Sequence, residues 1–256
     1  MTGNASLQRA YLSRLLLNPQ SRQVRTELAQ PYEMHRTLMQ AFEGYLADGE
    51  NRGREKVGML FRAEVDERDH RVVVYVQSLM EPEWSFLEDF GEYLLDTAEG
   101  PTAICKDVSK AYGQLLDRQT LAFRLRANPT KRIGSDAEHG GLLAGKRVGL
   151  LREEKQIAWL ARKGATAGFE LLRAECPHPQ EGVQRVPSVT ARVEGRQEGR
   201  KREGHQLHTM THLAVLFDGL LRVTNAADFR QTLIRGIGSG KAFGFGLLSI
   251  GPASTR

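Results

Sequence analysis

The chain has 256 residues, with 36 Lys and Arg against 31 Asp and Glu, for a formal net charge of +5. That length holds one large domain or two small ones, and the mild basic balance is compatible with nucleic acid without requiring it. Two cysteines, Cys105 and Cys176, make neither a disulfide framework nor a tetrahedral zinc set and fit a reducing cytoplasm; no apolar run approaches the ~18–20 residues of a membrane span, and the N-terminus lacks a signal peptide's basic and apolar regions.

In chain order, residues 1–10 are mostly polar and read as a disordered leader. Tyr11–Leu17 is an apolar strand stopped by Asn18-Pro19. Pro31 suits the first position of a helix, and Met34, Leu38, Ala41, Phe42 and Tyr45 follow at helical spacing as one buried stripe that ends near Gly53. Val57 to Val65 and Val72 to Val76 alternate on either side of Asp66–His70, which predicts a hairpin. A helix is predicted near Asp107–Leu116, then a strand over Leu121–Ala127 closed by Asn128-Pro129. The order β-α-β-β-α-β makes residues 11–133 a first unit. Residues 134–145, with four glycines, read as a linker. The pattern then repeats over residues 146–256. A helix spans Arg152–Phe169, and strands cover Phe169–Leu172, Val189–Val193 and Leu207–Phe217. Asp218-Gly219 is expected to turn the chain into Leu220–Val223. Asn225 caps a helix through Phe229, Leu233 and Ile234, and a final strand covers Ala242–Ile250. The economical architecture is α+β, two ferredoxin-like βαββαβ domains in tandem.

Between that last helix and strand lies Arg235-Gly-Ile-Gly-Ser-Gly-Lys-Ala-Phe-Gly-Phe-Gly246. Glycines at this density, Gly238 and Gly240 among them, let the backbone approach a ligand, and Lys241 adds charge. A nucleotide P-loop is excluded: Arg235 stands where the first Gly belongs, Ala242 replaces the hydroxyl, and the order is helix–loop–strand. The loop suits a polyanion instead.

Tyr32 and His35 are neighbours on one helix face just after Pro31. A helix N-terminus seats a phosphate and favours a neutral histidine, so the pair has the chemistry for acid–base work on RNA. By helical angle His35 equally suits the edge of the apolar stripe. The segment Ala191–Gly204 holds five basic and three acidic side chains and is either a flexible basic hairpin for a nucleic-acid groove or a solvated loop. Arg124 and Arg126 share one sheet face and, with Lys131 and Arg132, outline a phosphate track or a row of exposed arginines. His205, His208 and His212 do not share one strand face, which argues against a metal site. No strand carries the aromatic RNP pattern, which leaves RNA read by shape and phosphate.

Four stretches taken together, Tyr11–Pro19, Pro31–Arg36, Phe123–Pro129 and Gly236–Gly246, resemble the CasE family of CRISPR repeat-processing endoribonucleases, and the resemblance runs from Tyr11 to Ile250. It implies two ferredoxin-like domains and metal-independent cleavage at the base of a repeat RNA hairpin. In that chemistry the 2′-hydroxyl attacks the adjacent phosphate, leaving a cyclic phosphate. The product stays bound within the Cascade complex, so the implied partners are the repeat RNA and the other Cascade subunits; no cofactor, metal or membrane is implied. The family's catalytic histidine falls on His35 and its tyrosine on Tyr32. The RNA-binding groove hairpin falls on Arg192, Arg196, Arg200, Lys201 and Arg202; Arg36, Arg124, Arg126, Lys131, Gly238, Gly240 and Lys241 complete the expected RNA contacts. Where some relatives carry a lysine further along the catalytic helix this chain has Gln40, so the cation for transition-state charge falls to Arg36 or Lys241. The competing readings are a non-catalytic RNA-hairpin subunit of such a complex and a small-molecule phosphate enzyme.

Overall fold

The computed structural model describes residues 8–46, 53–66, 69–98, 100–134, 145–178, 182–203 and 206–253. Strand β1 (Tyr11–Leu17) buries Tyr11, Ser13, Leu15 and Leu17 on one face, the period of two that its sequence dictates. Helices α1 (Arg22–Ala29) and α2 (Pro31–Met39) follow, and a 3-10 turn at Gln40–Tyr45 prolongs α2. After the short helix α3 (Gly53–Val57), β2 (Leu60–Asp66) and β3 (Arg71–Ser78) form an antiparallel hairpin. Strand β4 (Ala103–Asp107) returns to pair with β1, so the first sheet runs β2-β3-β1-β4.

Helix α4 (Ser109–Gly113) leads into β5 (Thr120–Ala127). Strands β6 (Thr130–Arg132) and β7 (Arg147–Gly149) pair with each other and precede α5 (Glu153–Thr166) and β8 (Phe169–Leu171). A small hairpin, β9 (Arg173–His178) with β10 (Gly182–Pro187), and a long one, β11 (Val189–Glu203) with β12 (Gln206–Val223), come next. Helix α6 (Ala226–Arg235) and strand β13 (Leu248–Pro252) complete the second sheet, β11-β12-β5-β13 with β8 also on β12. The fold is α+β with two antiparallel sheets.

Several expectations are corrected. Thr120–Ala127 does not close the first sheet: it lies between β12 and β13 in the second, and β4, too short and weakly alternating to be read, takes its place beside β1. Asp218-Gly219 is no turn but the middle of β12. Gly219 is there because a Cβ would meet the Ser188 carbonyl oxygen at 2.4 Å and Val189 Cα at 2.8 Å, so glycine admits the adjoining chain, not a reversal. The strand expected over Ala242–Ile250 begins only at Leu248, since Gly244 and Gly246 take positive φ and Lys241–Phe243 is a 3-10 turn. Tyr45 leaves the stripe and is 50% exposed, because the change to 3-10 pitch rotates it off the core. Gly53 starts α3 and does not end a helix, and Val57 and Met59 precede β2. The expected leader falls mostly, and the linker almost wholly, outside the described residues.

Each sheet has its own core. Leu15, Met34, Leu38, Phe42, Phe61, Val74 and Trp84 fill the first, while Phe123, Leu125, Leu160, Phe169, Phe217, Phe229 and Leu233 fill the second. Polar groups fasten the two together. The Arg62 guanidinium, only 3% exposed, donates to the Leu247 carbonyl at 3.2 Å and to the Ser249 hydroxyl at 3.0 Å, and is neutralised by Glu64 at 2.7 Å. The fully buried Gln77 donates to the Leu233 carbonyl and accepts from the Tyr112 hydroxyl. Buried polar groups are tolerated when so satisfied.

Candidate active site

Pro31 occupies the first turn of α2, where its missing N–H is not needed, and so sets where the helix begins. Tyr32 and His35 follow on one face with ring centroids 6.2 Å apart. Tyr32 is 37% exposed and His35 half-buried, its ring lying 6.2 Å from that of Phe61 on β2 at an interplanar angle of 24°. On its other side Tyr32 meets Phe243 of the glycine loop at 5.9 Å. The site is therefore built from both ends of the chain. The α2 helix is held from beneath by Glu27, a 4% exposed carboxylate on α1 that accepts from Thr37 at 2.6 Å, Tyr93 at 2.6 Å and Gln23 at 3.0 Å.

The glycine loop is a folded object. Gly236, Gly238, Gly240, Gly244 and Gly246 all have positive φ, which side chains rarely adopt. Ile237 N–H donates to the Gly246 carbonyl at 3.0 Å and Gly246 N–H to the Arg126 carbonyl at 2.8 Å, so the loop is closed on itself and pinned to β5. At Gly240 a Cβ would sit 2.9 Å from Phe245. The turn Lys241–Phe243 so placed rests on α2, and partial burial together with the charge of Arg235 holds the Lys241 amine below its usual pKa.

The expected RNA contacts divide into three groups. Arg124 and Arg126 already have carboxylate partners: Arg124 pairs with Asp218 and Glu64, and Arg126, 13% exposed, pairs with Glu194 at 2.7 Å beneath the Phe245 ring. Gln197, in the amide orientation its neighbours demand, donates to the Phe243 carbonyl at 3.0 Å and accepts from the same Arg126 guanidinium. These residues brace the loop. Arg36 stands 67% exposed on α2 in a 2.9 Å pair with Glu33, and Gln40 lies five residues beyond His35, well round the helix from it. Lys131, Arg192 and Arg196 are exposed; Arg200, Lys201 and Arg202 lie on β11, with the backbone register Lys201 opposite His208, but their side chains fall outside the described residues.

Sequence reasoning missed the part played by His212. It packs 4.7 Å from Phe243, on β12, with its Nδ1 2.9 Å from the Asn128 amide. Because the Asn128 oxygen accepts from Leu213 N–H at 3.2 Å, its nitrogen faces His212 and donates. Nδ1 therefore accepts and the ring proton sits on Nε2; burial also lowers the pKa of this imidazole. The signal in the sequence was its pairing with Asn128, which nothing local reveals. Among the described residues no three His, Cys, Asp or Glu gather as metal ligands; His205 and the side chain of His208 fall outside them. No helix among the described residues is long and apolar enough to cross a membrane.

The arrangement offers a phosphate a helix N-terminus, an imidazole, a phenol and a lysine-bearing loop, the parts of an acid–base phosphodiester site. The family model for CRISPR-associated protein matches residues 10–252. The CRISPR-associated endoribonuclease Cse3 of Thermus thermophilus is 37% identical over 243 residues, 94% of this chain and 100% of that protein. The structure of Thermus thermophilus Cse3 bound to an RNA representing a pre-cleavage complex superposes with a TM-score of 0.68 at 36% identity, covering 95% of this chain and 100% of the other. Cas6e of Escherichia coli aligns with a TM-score of 0.53 at 26% identity, over 95% of this chain and 100% of that one.

Proposed function

This chain belongs to the Cse3/CasE family of CRISPR endoribonucleases, and we propose that it cuts CRISPR precursor RNA at the base of the repeat hairpin without a metal ion. One of His35 and Tyr32 takes the proton from the 2′-hydroxyl, whose oxygen attacks the neighbouring phosphorus. The bond to the 5′-oxygen breaks, and the other group supplies that oxygen's proton, leaving a 2′,3′-cyclic phosphate and a 5′-hydroxyl. Lys241 supplies positive charge to the crowded phosphorane-like transition state. The observation that carries this reading is the meeting of Tyr32 with both His35 and Phe243, which brings the lysine turn to the catalytic pair.

Both sheets support tandem ferredoxin-like units. Strands β4-β1-β3-β2 and β13-β5-β12-β8 each follow the fourth–first–third–second order of a βαββαβ unit, with the division falling between α4 and β5. In the second unit β12 extends with β11 as the arm that enters the RNA groove, through Arg192, Arg196, Arg200, Lys201 and Arg202, and the product stays bound as part of a Cascade assembly in the cytoplasm.

The test is cleavage of labelled repeat RNA by excess protein in EDTA. Wild type makes a single cut; His35→Ala and a substrate lacking the 2′-hydroxyl at the cut make none, with binding kept. Binding without a cut by wild type replaces this reading with that of a structural RNA-hairpin subunit.

A further inference from the structure

Beside the glycine loop two adjoining concavities of about 550 and 470 Å³ share Asn128, Thr130, Arg147 and Ser239 as a common wall. Neither Tyr32 nor His35 lines them. Five cationic side chains do: Arg196 at one end, Arg147 and Arg132 in the middle, Arg162 and Lys163 at the other, with no Asp or Glu among the described residues that line them. Several arginines elsewhere are neutralised: Arg62, Arg124, Arg126, Arg185 and Arg222 each face a carboxylate. Among the described residues none of the five in the trough makes an ion pair, and the nearest added bond is from Arg132 to the Gly145 carbonyl. Like charges gathered in a concavity raise the local potential and attract anions. Gly238 and Ser239 also line the trough, and their N–H groups make no backbone hydrogen bond among the described residues, which suits them to phosphate oxygens.

We propose that this trough holds the sugar–phosphate backbone of a single RNA strand flanking the hairpin, a contact that rests on the RNA substrate proposed above. The chemistry favours backbone over bases. Of the two rings among the described residues lining it, Trp159 is 3% exposed and packed against Gly238, and His212 packs on Phe243 and Phe245, so neither stands out as a stacking platform. It also favours one strand over a duplex, for two small concavities joined end to end admit a single chain of phosphates. The trough starts at Arg196, on the arm assigned to the duplex, and ends beyond Lys163, where Asp228 enters the next concavity beside Arg235.

The experiment measures binding of repeat RNA, blocked by a 2′-deoxy nucleotide at the cut, across a series of salt concentrations. Two RNAs are used, the hairpin with both flanks and the same hairpin trimmed to its stem. Arg162 and Lys163 are exposed on α5, so the pair Arg162→Ala and Lys163→Ala leaves the fold intact, which a thermal melt checks; Arg147→Ala is a second, independent variant. For the double variant we expect roughly tenfold weaker binding of the flanked RNA and a drop of about 1.4 in the slope of log Kd against log salt, two single-strand contacts at ~0.7 each. The effect disappears on the trimmed stem. An unchanged slope on the flanked RNA, or an equal loss on both RNAs, overturns the trough while leaving the hairpin reading in place. Failure of wild type to bind either RNA overturns both.

Discussion

The Tyr93 hydroxyl donates a 2.6 Å hydrogen bond to one oxygen of Glu27 while Thr37 donates at the same distance to the other. A buried carboxylate thus clamps the helix that carries Tyr32 and His35. Tyr93→Phe removes one of its donors and leaves charge less well compensated, so stability falls by about 1.5–3 kcal/mol. Denaturant melts read the loss directly. Single-turnover cleavage falls as well, because α2 is less firmly positioned; a melt indistinguishable from wild type refutes the clamp.

The Arg62 side chain crosses from the first sheet to the carbonyl of Leu247 and the hydroxyl of Ser249. Arg62→Ala leaves the Leu247 carbonyl and the Ser249 hydroxyl without their donor and Glu64 with Arg124 alone, with a cost of about 1–3 kcal/mol. Arg62→Met, which refills the space without charge, recovers part of it. Full recovery of stability in Arg62→Met counts against the polar contacts as the reason.

Gly240 has φ of +83° and a Cβ there would sit 2.9 Å from the Phe245 ring. Gly240→Ala is expected to cost about 1–2 kcal/mol from the left-handed backbone alone. It shifts the Lys241–Phe243 turn away from Tyr32, so cleavage slows more than RNA binding weakens.

His212 is held neutral by burial and by the Asn128 amide that faces its Nδ1. A folded pKa below the ordinary 6.5 means that the unfolded chain binds the extra proton first as pH falls. This stabilising contribution is complete above pH 6.5 and is lost on descending from there toward the lowered folded value. Melting temperatures of wild type should fall across that window, and His212→Gln should flatten that part of the profile. Identical profiles refute the assignment.

Much of the fold was legible because its signals are local. Asn18-Pro19 and Asn128-Pro129 stop strands, the alternation of Val72, Val74 and Val76 marks a buried face, and Asn225 does accept from Asp228 N–H at 3.0 Å as a cap. What was not legible is long-range. Strand β5 reads the same whichever sheet it joins, and only its pairing with β12 decides. Helix α1 buries just Val24 and Glu27, so it shows little apolar stripe, and Glu27 looks like a surface acid until Tyr93 and Thr37 are seen around it. Tyr32 and His35 were legible as a pair from their spacing; that Arg126 faces Glu194 was not, since partners so far apart in sequence leave no spacing to read.

Phe243 touches Tyr32 from one side and His212 from the other. In the order of synthesis Tyr32 and His35 emerge early and the glycine loop near the end, so the half of the chain made first carries the proposed catalytic pair without the turn that completes its surroundings. On the proposed mechanism, a chain truncated before Arg235 is therefore expected to leave RNA uncut.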